Sequence, residues 1–456
     1  MDPPVNIHVL TATQVQERIA NGDLTLVQYV TALVDRYKAR DDHIQAWAAI
    51  RPEQDLLDEA RRMDALAASE RGRLHGFVVG VKDVIMTRDM PTRYNSPLHE
   101  SDLPLLDAST VAILRRNGAL IMGNYSRCTA SIHSGITGKT QTSEFSATAV
   151  TPGTRNPHDS SRSPGGSSSG SAAAVADMHV PVGLGTQTIG SIIRPASFNG
   201  IFGFKPTWNA VSSEGQKVTA PTLDTFGLMA RCVGDLQRVA EVLGLRDDEE
   251  AGDVRLGESR FAVVKPPEWS EAGQGTVSAV ENAVELLRKS GAQVEHVTLP
   301  EGFRDILSLQ STVLRHEAGV AFLRERGEPI SSALAEFSRG IEGAARRRQY
   351  LRALDALAAL RPKMDDIAAR YTAVLTASAL DVAPRERGWT GESKFNAMWT
   401  ALHTPVINIP GFAGEDGMPV GVSLVAPRYR DQHLLQVAAA VGPLFEEKGG
   451  WKSKLG

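Results

Sequence analysis

The run from Arg162 to Thr207, RSPGGSSSGSAAAVADMHVPVGLGTQTIGSIIRPASFNGIFGFKPT, constrains this chain more than any other feature. It is crowded with Gly and Ser, turns apolar, and becomes Gly-rich again around the Gly190–Ser191 junction. So many small hydroxyl residues read as a reaction loop rather than as a core strand or helix. Gly lets the backbone approach a ligand closely and adopt φ > 0, so that N–H groups can be aimed at a reacting carbonyl. A second oddity lies upstream, where Lys82 follows the apolar run Phe77-Val78-Val79 through Gly80-Val81. An amine embedded in an apolar strand must be paired or uncharged.

Composition narrows the class of protein. With 456 residues, 42% hydrophobic and 22% charged, the chain can bury the core of an ordinary globular enzyme. A net charge of −4 with mixed signs offers no basic face for nucleic acid. Two cysteines, Cys128 and Cys232, can build neither a disulfide framework nor a cysteine metal site, which suits a reducing compartment. No apolar run approaches the roughly 20 residues that cross a bilayer. Met1-Asp2-Pro3-Pro4 lacks the basic-then-apolar order of a signal peptide. Together these point to the cytoplasm and away from a membrane span.

Periodicity alternates between strand and helix. Helices are expected at Thr11–Ala20, Leu24–Arg40, Pro52–Ala67, Thr110–Arg116, Val277–Lys289, Ile306–Arg324, Ser332–Leu360 and Gln432–Leu444. Strands are expected at Gln45–Ile50, Phe77–Val81, Ala119–Met122, Arg260–Val264, Gln293–Val297, Ala373–Thr376, Val406–Ile409 and Val420–Val425. This alternation predicts α/β layering: a large mixed, mostly parallel central sheet covered by helices on both faces. Ligands gather at the carboxyl ends of strands in such sheets, and Lys82 sits at one.

Gly76-Phe77-Val78-Val79-Gly80-Val81-Lys82-Asp83, Ser163-Pro164-Gly165-Gly166-Ser167-Ser168 with Gly170-Ser171-Ala172-Ala173, and Gly185-Thr186-Gln187-Thr188-Ile189-Gly190-Ser191 follow one another in order. Gly203-Phe204-Lys205-Pro206-Thr207, the segment Leu223–Arg231 and the segment Met418–Val425 come after them. This series resembles the amidase signature family over most of the chain. The resemblance implies one domain over residues 1–456 and hydrolysis of a small amide, without metal or cofactor. It allows a homodimer. It also implies the site: Ser191 as nucleophile, Ser167 as a bridging serine after a cis peptide bond, Lys82 as base, and the backbone N–H groups of Thr188, Ile189, Gly190 and Ser191 as oxyanion hole. Residues 124–138 interrupt the family pattern, either as a tolerated surface loop or as a gene-model artefact.

The implied chemistry is coherent. An amide needs an activated nucleophile, an oxyanion site and an acid for the leaving amine. A lysine with an ordinary pKa near 10.4 accepts a proton at pH 7 only if burial lowers that pKa by several units. Three positions depart from the commonest family pattern: Gln187 replaces Asp, Ile189 replaces Gly, and Arg194 stands one place later than the usual Arg. A support pair is therefore either lost or rebuilt as Gln187 with Arg194. Ile189 distorts the oxyanion hole if its position demands φ > 0.

Other readings compete. Gly166–Gly170 matches a G-x-S-x-G elbow centred on Ser168, but a polar loop precedes it where that elbow needs a strand. His133–Thr140 resembles the end of a phosphate loop that lacks its first glycine. Ser168, Ser169 and Ser171 read as cap or loop hydroxyls, Asp83 as structural, and His179 and His403 as structural. The pocket is expected near Tyr94–Ser96, Thr140–Phe145 and the helices between Ile306 and Leu360; Trp389, Phe395 and Trp399 are assigned to core packing rather than to an aromatic pocket. Two alternatives stay beside the hydrolase. One is an amidotransferase-type protein, similar to the family's glutamyl-tRNA amidotransferase A-like branch, which passes ammonia to a partner. The other is a catalytically impaired amidase-like protein.

Overall fold

The computed structural model describes residues 6–100, 102–122, 139–149, 153–249, 251–339 and 344–455. Local signals set the first helices. Thr11 and Thr25 each cap a helix, at Ala12–Asn21 and Leu26–Ile44, and Gln14 and Gln28 return a bond to the cap N–H. Gly22, at φ 80°, closes the first of them in the left-handed conformation.

The strands are β1 (Trp47–Ala49), β2 (Val78–Val81), β3 (Leu120–Ile121), β4 (Lys139–Thr140), β5 (Val182–Gln187), β6 (Phe202–Lys205), β7 (Thr225–Ala230), β8 (Arg260–Val263), β9 (Gln293–His296), β10 (Ala373–Ala377), β11 (Val406–Ala413) and β12 (Pro419–Val425). Ten of them form one mixed sheet in the order β3-β2-β5-β7-β6-β11-β12-β10-β8-β9, while β1 pairs with β4. The parallel pairing expected to dominate is confined to the two ends, β3-β2-β5 and β10-β8-β9. The centre is antiparallel. For β11 and β12 the reason is chain length: residues 414–418 suffice for a hairpin, whereas a parallel crossover needs a dozen residues or more.

Strand alternation divides the core into two apolar layers. Val79 and Val81 of β2 enter one and Val78 the other; Leu375 and Val374 of β10 divide the same way. Helices Gln274–Lys289 and Asp431–Lys448 pack in the first layer, Ser169–Ala176 and Ala344–Ala368 in the second. No helix among the described residues is long and apolar enough to cross a membrane.

Two expectations change. The Gly/Ser run is not only loop: it holds the buried helix Ser169–Ala176, the interior strand β5 and the helix Ile193–Asn199. Its small residues serve packing as well as chemistry. A Cβ on Gly170 would fall 2.1 Å from the Ala46 carbonyl oxygen, and one on Gly203 would fall 2.4 Å from the Ala196 Cβ. The helical stretch expected over 332–360 is two helices, Ser332–Ser338 and Ala344–Ala368. Residues 124–138, with Cys128 and His133, lie outside the described residues.

Gly170→Ala should therefore cost about 1–3 kcal/mol by overpacking against backbone. A thermal melt that matches the parent protein would contradict this close approach.

Candidate active site

Parallel pairing of β2 with β5 sets Val81 opposite Leu184. Lys82, the next residue, is thereby carried to the level of Thr186 and is fully buried. Its Nζ lies 2.9 Å from Ser167 Oγ and 2.9 Å from Thr186 Oγ1, and donates to the Thr186 carbonyl at 3.4 Å. No carboxylate among the described residues is within ion-pair distance of it. Burial pushes the amine well below its ordinary pKa; Asp224 pulls it back up and Arg194 pushes it further down.

Ser167 follows a cis Gly166–Ser167 peptide bond and is 3% exposed. The Arg194 guanidinium donates to the Gly166 carbonyl and, at 2.7 Å, to that of Gly391. Burial lowers this guanidinium to about 10, and Glu392 opposes the shift. Arg194 thus orders the serine loop.

A separate set of bonds shapes the turn from Thr188 to Ile192. The Gln187 amide oxygen accepts from the N–H groups of Ile192 (2.8 Å) and Ile193 (3.1 Å). Its nitrogen donates to Thr400 Oγ1 at 3.1 Å, and that hydroxyl donates to the Ile189 carbonyl at 2.8 Å. The support expected of Gln187 with Arg194 is therefore divided: each holds its own segment, and no hydrogen bond joins them. Ile189 is not among the residues with positive φ, so its β-branch meets no left-handed strain.

Asp224 is a functional residue that sequence reasoning missed. Its Oδ1 accepts from Thr188 Oγ1 at 2.5 Å, and its Oδ2 from the N–H groups of Thr219 (2.6 Å) and Ala220 (3.0 Å). Burial pushes its carboxyl up to about 6, against those three hydrogen bonds. The signal was a carboxylate inside the Leu223–Arg231 segment, but nothing local tied it to Thr188.

Ser167 and Ser191 open on one cavity of about 240 Å³, walled by Ile189, Leu314, Phe337, Trp389 and Glu392. Among the described residues the Ser191 hydroxyl makes no hydrogen bond, and the N–H groups of Ile189, Gly190 and Ser191 donate to no protein acceptor. The expected pocket segments are partly right. Leu314 and Phe337 come from the helices between Ile306 and Leu360, and Ser146 to Ala149 follow directly on Thr140–Phe145, whereas Tyr94 faces a different cavity. Phe395 and Trp399 are core residues; Trp389 is on the cavity wall.

The competing motifs are accounted for structurally. Ser168 is buried and donates to the Thr186 carbonyl at 3.3 Å, with no strand before it. Lys139 of the phosphate-loop look-alike donates to the Ile85 carbonyl and to Thr92; most of that motif lies outside the described residues. Asp83 accepts from the Arg93 N–H rather than pairing with Arg88, which lies beside Asp107. His179 sits between Trp47 and Asp177, and His403 stacks on Trp208.

Residues 28–435 match the Amidase family. The chain belongs to the amidase signature family. Among its relatives, a glutamyl-tRNA(Gln) amidotransferase subunit from Roseiflexus castenholzii is 36% identical over 312 residues, or 64% of this chain and 61% of that protein. The match thus spans about three-fifths of the Roseiflexus protein. The protein of the same name from Natranaerobius thermophilus is 26% identical over 97% of both chains. Among solved structures, the native peptide amidase of Stenotrophomonas maltophilia superposes with a TM-score of 0.79 at 26% identity over 98% of each chain. Another amidase superposes at 0.80 with 28% identity over 97% of this chain and 100% of that one.

Gln187→Leu removes the acceptor for two N–H groups and the donor to Thr400. A loss of about 1–3 kcal/mol is expected, because the buried partners are left unsatisfied. Amide exchange at Ile192 and Ile193 should rise with it; unchanged protection there would show that the turn holds itself.

Proposed function

We propose that this protein hydrolyses a small carboxylic amide through an acyl-enzyme on Ser191, with Ser167 as proton relay and Lys82 as base. The observation that carries this reading is a buried amine, its pKa pushed well down by burial, 2.9 Å from the Oγ of Ser167, which shares a cavity with Ser191. Neutral Lys82 takes the Ser167 proton, Ser167 takes that of Ser191, and the Ser191 oxygen forms a bond to the carbonyl carbon. The carbonyl π pair moves onto oxygen, where the N–H groups of Thr188, Ile189, Gly190 and Ser191 receive it. The relay then returns the proton to nitrogen as the C–N bond breaks, and water cleaves the ester by the same path. No step calls for a metal or cofactor. The full length acts as one domain, with 124–138 as an insertion, and its cysteine-poor composition suits the cytoplasm.

A second reading has its own support. A relative that matches over 97% of this chain is named as part of a glutamyl-tRNA(Gln) amidotransferase. In that reading the same chemistry releases ammonia for a partner protein. The isolated chain decides between them: unaided turnover of aliphatic and aryl amides supports the hydrolase, and turnover only with a partner supports the amidotransferase. The impaired-enzyme reading loses one of its two motives, because Ile189 is not at positive φ.

Ser191→Ala should abolish turnover and labelling by a serine-reactive fluorophosphonate. Labelling that survives this change would overturn the assignment.

Lys82→Ala should slow kcat by about 10²–10⁴-fold, the range of general-base catalysis. The pH profile gives an independent check. A base with a depressed pKa is active above that pKa, so parent activity should fall as pH drops through it. In Lys82→Ala that limb should vanish and the residual rate should climb steadily toward alkaline pH. An acid limb that persists unchanged would assign the titration to another group.

A further inference from the structure

A second cavity, of about 610 Å³, shares no lining residue with the Ser191 cavity. The two are neighbours. Thr219 faces the Ser191 cavity, whereas Val218, Pro221 and Thr222 face this one; Leu314 and Glu317 of the helix Ile306–Ala321 divide in the same way. Its volume falls in the range of small-molecule sites.

Two carboxylates form its wall, and their bonding is incomplete in different ways. Glu317 is 5% exposed. Its oxygens accept from Thr222 Oγ1 (2.6 Å), the Thr222 N–H (3.0 Å) and the Tyr350 hydroxyl (3.0 Å). All three donors are neutral, and no cation among the described residues is within ion-pair distance. Glu325 is 1% exposed. Its Oε1 accepts from Lys217 at 2.7 Å, while its Oε2 has no hydrogen-bond partner. A buried carboxylate oxygen without a donor is costly, and it leaves the charge of Glu325 only partly compensated.

The lining also says which occupant fits. Lys217, the cation deepest in the wall, is already committed to Glu325 and to the Phe145 and Phe322 rings, 5.3 and 4.9 Å from its Nζ. Arg324 is exposed at the edge. An anion would therefore meet two carboxylates with no spare buried cation. Tyr94 and the stacked His316–Tyr350 pair, 4.0 Å apart, supply aromatic surface, and the buried Nδ1 of His316 has no partner. Aromatic faces and carboxylates together favour an ammonium group.

We propose that this cavity binds a small organic cation, an ammonium on an aryl or alkyl body, with Glu325 and Glu317 as its counter-charges. The site is distinct from the hydrolytic one and does not depend on the reaction assigned to Ser191. Calorimetry on the full chain at low salt tests it with benzylamine and its uncharged isostere benzyl alcohol. Benzylamine should bind at least about tenfold more tightly than the alcohol. Glu325→Gln should weaken benzylamine about tenfold or more, while Glu392→Gln, in the Ser191 cavity, should leave it unchanged. If Glu325→Gln melts early, Glu317→Gln, which keeps an acceptor for Thr222, should show the same selective loss. Equal affinity for amine and alcohol, no benzylamine binding up to about 10 mM, or loss of binding through Glu392→Gln instead would overturn the proposal.

Discussion

An amine without a carboxylate is the constraint around which this structure is arranged. Lys82 is sealed inside the fold with two hydroxyls and a carbonyl for company. Such partners do not repay the desolvation of an ammonium, so the uncharged form is favoured. Had Asp224 come within ion-pair distance, the lysine would be held protonated. Instead Asp224 turns its oxygens to Thr188, Thr219 and Ala220, and reaches Lys82 only through its field. The same residue shapes the turn that leads to Ser191 and tempers the Lys82 amine.

Close approach of backbones makes this placement possible. Gly170 sits against the backbone of Ala46 and Gln141, and a side chain on Gly185 would press on Ser168. The helix after Ser167 can therefore lie directly on β5, and both serine segments reach one cavity. Small residues act twice here, by letting elements touch and by leaving N–H groups free. Separate anchors then hold the two segments. Arg194 grips the Gly166 carbonyl, and Gln187 grips the turn that leads to Ser191. Dividing the work this way lets each segment be fixed without a buried ion pair beside Lys82.

The segment 218–224 runs between the two cavities. On one side Asp224 holds Thr188; on the other Glu317 holds Thr222. Glu317 is buried and Asp224 half-buried, and both accept from neutral donors. Negative charge is thus concentrated along one short stretch of chain, and it reaches Lys82 on one side and the second cavity on the other.

Much of the fold was legible because its signals are local. Thr11, Gln14 and Gly22 declare a helix by themselves, and the apolar run before Lys82 declares a strand. Lys82, Ser167 and Ser191 could be named from ordered motifs, and folding brings the first two into contact and all but Lys82 onto one cavity wall. Other features were hidden because they depend on partners far away in the chain. The Gly/Ser run looked like loop until packing showed a helix and an interior strand that need small residues. The Gln187–Arg194 pair looked like one support, but Gln187 found Thr400 and Arg194 found Gly391. The roles of Asp224 and Glu317 had no local pattern at all. Sequence by itself determined most of the segments that are strand or helix, since these follow from residue type and short-range spacing, and its ordered motifs pointed to Lys82, Ser167 and Ser191. Only the tertiary structure decided which amines are pushed down in pKa and which carboxylates face a cavity, because desolvation and electric fields arise from atoms that the chain brings together across hundreds of positions.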